Sequence, residues 1–291
     1  MDPRIQYCVT QIEHKILHDS TEHCTHDALI QTLAQEMQLS RFHLTRLFFK
    51  DFQYSPRDYI HRNLMGRCAL MIAHTRQSPF SIAIDMGFSS QQAFTRAFTH
   101  YWGISPCQFR QAHVRYIAKL NAAYKLTSDV GHPSVDNTKI VIRQWPAIRF
   151  WAVRYEGLSG QKHACWSDFR KLFSDLPATM LEGPFFGLTY DTPMFVPLPF
   201  MRYYCGVQVP PGLGPKPKEA FEIMLPAGRI AACVAHCTSD EVVGLYGKLL
   251  DDWLPQSGYS LRASCFAERF EAFPINWETR PETVQLNCWI Q

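Results

Sequence analysis

Apolar residues recur at intervals of three and four positions through the first part of the chain, which is the spacing of one buried helix face. Ile5, Val9 and Ile12 predict a helix from Pro3 to His18, and a second helical pattern begins after Thr25. Beyond residue 139 the apolar positions take on the alternation of half-buried strands. The pattern therefore predicts a helical part followed by a part that contains a sheet.

Two short helices separated by a tight turn appear early in the helical part. The pattern after Thr25 ends near Met37, and Ser40 provides the N-cap of a helix that turns Leu44 and Phe48 inward. Short helices separated by a few residues, here those from Gln38 to Ser40, are typical of a helix-turn-helix.

The same arrangement recurs about 50 residues later. Ile82 and Ala83 mark a short helix, Gly87 supplies a turn residue that accepts positive φ, and Ser89 or Ser90 caps the next helix. Between the two helix-turn-helices, Pro56 can start a helix that runs to His74 and spans about 28 Å. Two recognition helices held this far apart would enter successive major grooves about 34 Å apart, so one chain would read an asymmetric site as a monomer.

The second helix of each unit turns polar side chains outward. Gln and Arg make bidentate contacts to adenine and guanine edges, and Thr contacts the thymine methyl group. A plain solvated face is the alternative for either helix alone, but two such helices favour double-stranded DNA. The predicted contacts are Arg41, Phe42, Thr45, Arg46, Gln91, Gln92, Thr95 and Arg96 to bases, and Lys50, Arg57, Arg62 and Arg67 to phosphates.

A longer stretch carries a family resemblance. The segment from Ser81 to Phe98, continued through Gly103 to Pro106 and Phe109-Arg110, resembles the signature of AraC/XylS-family transcription regulators. The segment from Ser40 to Phe48 resembles the first recognition helix of that family. The resemblance covers about residues 4–113 and implies an all-α double helix-turn-helix. It implies base contacts from Phe42, Thr45, Arg46, Gln91, Gln92 and Arg96.

Two positions depart from the family pattern. Gln38 stands where the first turn often has Gly, and Thr45 stands where close relatives carry Gln. The first recognition helix is therefore expected to prefer a different DNA sequence.

Charge is divided unevenly along the chain. Residues 1–125 hold 14 Lys/Arg and 9 Asp/Glu, a net charge of +5, and residues 126–291 hold 15 and 17, a net charge of −2. This division is compatible with a nucleic-acid module fused to another domain. No apolar run approaches 18 residues and no basic-then-apolar leader opens the sequence, so we expect a cytoplasmic protein that does not enter a membrane.

The ten cysteines form no C-x-x-C pair. Cys233 and Cys237 flank His236, but no second ligand pair follows at zinc spacing. We therefore expect buried free thiols, no metal site and no cofactor.

The second part of the chain contains an internal repeat. Residues 121–138 are polar and predict a linker between a domain of residues 1–120 and a domain of residues 139–291. At an offset of 80, Pro146 to Arg149 match Pro226 to Arg229, and Phe186 and Tyr190 match Phe266 and Phe270. The repeat predicts the unit strand, helix, strand, strand used twice. The expected fold is a pseudo-duplicated α+β domain with an antiparallel sheet, helices on one side and a central cleft.

Glu268 stands out within this repeat. Alternation places it on one strand face with Phe266 and Phe270, whereas the offset of 80 pairs it with Leu188. A carboxylate between aromatic rings suits a cationic ligand. A solvent-exposed sheet face or an internal pair with an Arg is the alternative. Further residues predicted to line the cleft are Tyr190, Trp151, Tyr155, Tyr203 and Tyr204.

Residues 138–291 are similar to the GyrI-like effector-binding domain. The resemblance rests on Pro226 to Ala231, on the segment from Asp252 to Tyr259, and on Ala267 to Phe270. It implies a pocket for hydrophobic or cationic compounds with an acidic residue inside, and Glu268 lies on the matching element. Gln285 departs from the acidic residue expected in the last strand.

The order of the two domains resembles the Rob-like subgroup of AraC-type regulators. The sequence thus predicts a transcription regulator, an activator that contacts RNA polymerase and responds to a small-molecule effector. The alternatives are a hydrolase or drug-sequestering pocket fused to a DNA-binding domain, or a docking domain without a ligand. No Ser-His-Asp spacing, P-loop or metal motif supports catalysis, so we expect no enzyme activity.

Overall fold

The computed structural model describes residues 1–18, 26–115, 140–157, 162–174, 176, 180, 182–191, 195–196, 200–275, 277 and 280–291. The chain divides into two units, Met1–Gln111 and Ala112–Gln291. The predicted linker, residues 121–138, lies outside the described residues. Among the residues that the structure describes, no helix has both the length and the apolar character needed to cross a membrane.

The described part of the first unit is built from helices. They are α1 (Pro3–His18), α2 (His26–Glu36), α3 (Arg41–Phe52), α4 (Pro56–His74), α5 (Pro79–Asp85), α6 (Gln91–Trp102) and α7, which begins at residue 106. Helices α2 and α3 form the first helix-turn-helix, α5 and α6 form the second, and α4 lies between them in the chain. Ile5, Val9 and Ile12 are buried, which confirms the apolar stripe predicted for α1.

Local hydrogen bonds fix where the helices begin. The hydroxyls of Ser40 and Ser90 accept from the backbone amides three residues later, at 3.2 and 3.1 Å, and so cap α3 and α6. Ser55 and Asp58 form a reciprocal capping box in front of α4, with Pro56 at the first helical position. These observations confirm the predicted caps and the predicted bounds of α4. The prediction was possible because each signal lies within a few residues of the helix end.

The two helix-turn-helices differ at their left-handed positions. In the first, Gln38 in the turn has φ 55° and Gln53 at the C-cap of α3 has φ 62°. In the second, the matching positions are Gly87 with φ 75° and Gly103 with φ 76°. A left-handed conformation costs about 1–2 kcal/mol for a residue with a side chain. The first helix-turn-helix therefore carries backbone strain that the second helix-turn-helix avoids.

The second unit is built on one antiparallel sheet. Its strands are β1 (Val141–Trp145), β2 (Ile148–Glu156), β3 (Phe185–Thr189), β4 (Arg202–Gln208), β5 (Phe221–Leu225), β6 (Gly228–Cys237), β7 (Leu261–Phe270) and β8 (Glu282–Ile290). Helix α8 (Lys162–Leu172) follows β2, and α9 (Glu241–Lys248) follows β6. The α+β fold with an antiparallel sheet is therefore confirmed.

Each half of the sheet begins with one more strand than the repeat predicted. The observed unit is strand, strand, helix, strand, strand, and the strand order across the sheet is β1-β6-β8-β7-β3-β4-β2-β5. The matched segments start at Pro146 and Pro226, just after the leading strands, so the sequence repeat missed β1 and β5. These strands are exchanged: β1 pairs with β6, and β5 pairs with β2. The pairing of β3 with β7 joins the two halves into one continuous sheet, and the exchange gives each half an edge strand from the other.

Both helices cover the same face of the sheet, as predicted. Cys165 of α8 has its Sγ 2.8 Å from that of Cys205 on β4, and the ring of Tyr246 on α9 lies 5.0 Å from that of Phe266 on β7. We call this the helix-covered face. The opposite face holds another buried aromatic cluster, in which the rings of Phe150 and Phe186 are 4.6 Å apart.

Replacing the left-handed glutamines by glycine should stabilise the first helix-turn-helix. We expect Gln38→Gly and Gln53→Gly each to raise its free energy of unfolding by about 0.5–1 kcal/mol, because Gly removes the left-handed penalty but loses more chain entropy. Hydrogen exchange of the α2 and α3 amides, read by mass spectrometry, measures the change. Gln38→Ala, which keeps the penalty, is the control, and equal exchange in the Gly and Ala variants would contradict the prediction.

Candidate DNA-reading helices and effector site

Helices α3 and α6 present the same pattern of burial. Leu44 and Phe48 of α3 are fully buried, and so are Phe94 and Phe98 of α6. The opposite faces are open to solvent. The exposed residues of these faces are Arg41, Phe42, Arg46, Gln91, Gln92 and Arg96, and the half-buried ones are Thr45 and Thr95. Near the ends of their helices, Lys50 and Arg57 are also exposed.

Phe42 is the most unusual residue of these outward faces. Its side chain is 79% exposed, although phenylalanine is normally buried. Such exposure leaves it free to make apolar contact with a thymine methyl group.

One carboxylate holds two of the predicted DNA contacts. Asp27, in the first turn of α2, accepts from Nη2 of Arg41 at 2.9 Å and lies 3.8 Å from Nη1 of Arg57. These ion pairs are exposed and therefore weak, so a DNA phosphate can replace Asp27 at little cost. Asp27 thus orients both guanidinium groups across α2, α3 and α4 in the absence of DNA.

Two predicted phosphate contacts on α4 occupy other environments. The guanidinium of Arg62 lies 4.2 Å from the ring centroid of Tyr54 and is half-buried. Arg67 is buried, at 8% exposure, and burial lowers the pKa of its guanidinium to about 10. The prediction that Arg67 contacts phosphate is wrong, because α4 is packed on nearly all sides around this position.

In the second unit, Glu268 lies on the helix-covered face of β7 and is fully buried. The hydroxyl of Tyr203 on β4 donates to Oε2 of Glu268 at 2.7 Å. Strand β3 lies between these two strands, so the side chains meet across about 10 Å of sheet. The residue of β3 between them is Gly187, where a Cβ atom would overlap both the Tyr203 hydroxyl and the Glu268 carboxylate.

The surroundings keep the neighbouring phenols protonated. Burial first, and then the charge of Glu268, raise the pKa of Tyr203 well above its usual value. The same two causes, in the same order, raise the pKa of Tyr246 on α9. A carboxylate beside aromatic rings is an arrangement that suits a cationic ligand, because the negative charge and the ring faces both attract positive charge.

The sheet register decides which other predicted residues share this face. Phe266 and Phe270 do so by alternation along β7, and Trp151 and Tyr155 do so through their pairing with Val207 and Tyr203 on β4. Trp151 is buried and its indole Nε1 donates to Glu222 at 3.1 Å, whereas Tyr155 is half-buried. The structure therefore places six of the eight predicted cleft residues on this face.

Tyr190 and Tyr204 lie on the opposite face, where their rings are 5.6 Å apart. The prediction that they line the same cleft as Glu268 is wrong. The offset of 80 matched Leu188 with Glu268, but Leu188 pairs with Ala267 and therefore lies on the opposite face of the sheet from Glu268. A shift of one residue moves a strand's whole set of side chains to the other face, so Phe186 and Tyr190 do not match Phe266 and Phe270.

Two residues of the site escaped the sequence analysis. Tyr246 follows the helical stripe of Val242, Leu245 and Leu249, so its inward direction was readable once α9 was known to cover the sheet. Gly187 carried no signal of its own, because its role depends on the pairing of β3 with β4 and β7.

Two family models match the chain. Residues 33–112 match a helix-turn-helix domain, and residues 138–291 match the GyrI-like small molecule binding domain. Both resemblances stated from the sequence are therefore confirmed.

Several transcription regulators are similar to the first unit. The HTH-type transcriptional regulator YkgA of Escherichia coli (strain K12) is 33% identical over 104 residues, which is 34% of this chain and 43% of YkgA. The multiple antibiotic resistance protein MarA of Escherichia coli (strain K12) is 27% identical over 112 residues, which is 37% of this chain and 88% of MarA. The chain spans less than half the length of YkgA, and 30% of the Msm operon regulatory protein of Streptococcus mutans.

Solved structures resemble each unit in part. The structure of SAV2435 bound to tetraphenylphosphonium has a TM-score of 0.35 at 13% identity, and it covers 52% of this chain and 93% of that chain. The DNA-binding domain of AdpA in complex with a target DNA has a TM-score of 0.31 at 21% identity, and it covers 45% of this chain and 100% of that chain.

The match to residues 138–291 spans more than half of the 291 residues. The chain therefore belongs to the GyrI-like small-molecule-binding family, and it joins that domain to an AraC-type helix-turn-helix domain.

Proposed function

We propose that the chain is a sequence-specific transcription regulator that reads an asymmetric DNA site as a monomer and responds to an apolar cation. The observation that carries the proposal is the repeated recognition helix. Helices α3 and α6 bury equivalent residues and expose equivalent ones, but the exposed side chains differ between the two helices. Two different reading faces on one chain suit a site without a palindrome.

Each outward face has a chemical preference. Gln91, Gln92 and Arg96 suit adenine and guanine edges, whereas Arg46 and Phe42 suit a guanine and a thymine methyl group. Lys50 and Arg57 would hold the register through phosphates, so binding would weaken as salt rises. Bound in this way in the cytoplasm, the chain would activate transcription through contact with RNA polymerase.

The effector is proposed to be a cation with a large apolar surface. A buried carboxylate loses the hydration that it has in water, and a cation close to it restores part of that energy. Phe266 and Phe270 flank Glu268 along β7 and add cation–π attraction, while Tyr203 fixes the direction of the carboxylate. For such a ligand to regulate transcription, its affinity must differ between two states of the protein.

Removing one guanidinium from α6 tests the reading face. We expect Arg96→Ala to lower affinity for the selected site by about 1–3 kcal/mol and to relax preference at one base position, because a bidentate contact is lost. Fluorescence anisotropy with substituted duplexes at fixed salt measures both effects. Lys171→Ala, which removes an exposed charge from the second unit, is the control. Unchanged base preference for Arg96→Ala would exclude this role.

Neutralising the buried carboxylate tests the effector site. We expect Glu268→Gln to weaken binding of tetraphenylphosphonium, a large apolar cation, about 30-fold or more, since breaking a buried charge pair costs about 2 kcal/mol or more. Isothermal titration calorimetry on the full chain measures the change. Glu282→Gln, on the same sheet but only half-buried, is the control and should bind normally. Equal affinity of both variants would refute the role of Glu268.

A methyl group on β3 tests the link between Tyr203 and Glu268. We expect Gly187→Ala to lower the free energy of unfolding by about 1–3 kcal/mol through overpacking and to weaken tetraphenylphosphonium binding, because the hydroxyl and the carboxylate must separate. Gly214→Ala is the matched control, since a Cβ there meets open space. Urea unfolding and calorimetry give the two values, and a Gly187→Ala variant as stable as the control would contradict the prediction.

A further inference from the structure

We infer that the first unit carries its own binding site for a small organic anion, centred on Arg67. A cleft of about 300 Å³ opens in this unit. It is lined from α1, α2, α4 and the turn between α5 and α6, and none of the predicted base contacts lines it. This volume is at the lower end of the range for small-molecule sites, so the expected ligand is small.

Arg67 is the reason to expect a ligand in the cleft. It lies in the middle of α4, is 8% exposed, and lines the cleft. Its buried Nε atom has no hydrogen-bond partner within the part of the chain that the structure describes. Burial lowers the pKa of the guanidinium to about 10, yet at neutral pH the group remains charged. A buried charge with an unused donor is costly, and a bound anion reduces that cost.

The other charged groups of the cleft favour an anion over a cation. Lys15, Arg57 and Arg67 face two carboxylates, those of Asp27 and Asp85, so the net charge of these five groups is +1. Both carboxylates are already engaged. Asp27 is bound by arginines, as described above, and Asp85 accepts from Gln77 at 3.0 Å. Arg67 lines the cleft, and its planar guanidinium is the group best shaped to bind a carboxylate in a bidentate way.

The other residues that line the cleft are mostly apolar, so we expect the ligand to have an apolar part. Leu29 and Ile60 are buried, whereas Ile16, Leu64 and Phe88 are half-buried and turn apolar surface toward the cleft. An inorganic anion would leave this surface in contact with water, but a monocarboxylate with a short alkyl chain would cover it. The chemistry thus selects an organic monocarboxylate.

The position of the cleft gives such a ligand a regulatory role. The cleft is lined by Asp27 and Leu29 from the first helix-turn-helix and by Gly87 and Phe88 from the turn of the second. A molecule bound there contacts both DNA-reading modules at once. It would therefore stabilise one relative arrangement of α2 and the α5–α6 turn within the first unit.

The test uses the full chain and hexanoate as the probe, with hexan-1-ol and inorganic phosphate as its neutral and inorganic counterparts. We expect calorimetry to give saturable binding of one hexanoate per chain, with the alcohol and phosphate at least tenfold weaker. Arg67→Met should weaken hexanoate at least tenfold and leave thermal stability without ligand equal or higher, because it removes an unsatisfied charge. Glu268→Gln should bind hexanoate normally, which separates this site from the effector site.

Three results would overturn the proposal: no saturable hexanoate binding to the unaltered chain, equal binding by Arg67→Met, or equal binding of hexan-1-ol. If Arg67→Met does not fold, it cannot separate a structural role of Arg67 from a role in binding. Arg67→Lys then decides the question. Arg67→Lys keeps the charge but loses the fork, so we expect a folded protein that binds hexanoate at least tenfold more weakly. A lysine variant with unchanged affinity would exclude a bidentate carboxylate site.

Discussion

The second unit is organised around a carboxylate that is buried at the centre of a continuous sheet. Glu268 lies on β7 beside β3, at the junction of the two halves, and three further strands lie on each side of this pair. The cost of burying the charge is offset by the hydroxyl of Tyr203, which reaches it because Gly187 leaves the space between them empty. The hydroxyl of Tyr203 and the space beside Gly187 thus both accommodate the carboxylate of Glu268.

The features of the first unit that were predictable are those fixed by neighbours in the chain. Ser40 and Ser90 cap their helices, and Pro56 starts α4, through bonds that span three or four residues. The inward faces of α3 and α6 followed from the 3.6-residue period alone. Gln38 shows the limit of such signals, since its side chain argues against a left-handed turn that the packing of α2 on α3 nonetheless imposes.

The sequence predictions that were wrong concern residues whose positions depend on contacts between distant segments of the chain. The offset of 80 holds at the leading Pro-Ala corners but not in β3, and one residue of slip put Tyr190 on the wrong face. The prediction of a phosphate contact treated Arg67 as a charge on the surface of α4, but the residue is buried. The periodicity of α4 is weak, since helices pack against it from several directions, and burial on such a helix is visible only in three dimensions.

The buried charged side chains among the described residues include Glu13 and Arg67 in the first unit, and Glu268 and the Asp191–Arg202 ion pair in the second. A surface charge selects ligands poorly, because water and salt screen it, whereas a desolvated charge rejects ligands of like sign by several kcal/mol. Arg67 on α4 and Glu268 in the sheet are two of these desolvated charges, and they have opposite signs. Such a cost is offset by structural partners or by a ligand. Glu268 accepts a hydrogen bond from Tyr203, whereas the buried Nε of Arg67 has no hydrogen-bond partner among the described residues, and the charge of Asp85 only partly compensates that of the guanidinium. A ligand carboxylate at Arg67 would therefore add a partner to a group whose Nε has none among the described residues, whereas a cation at Glu268 would add one to a group that already has Tyr203.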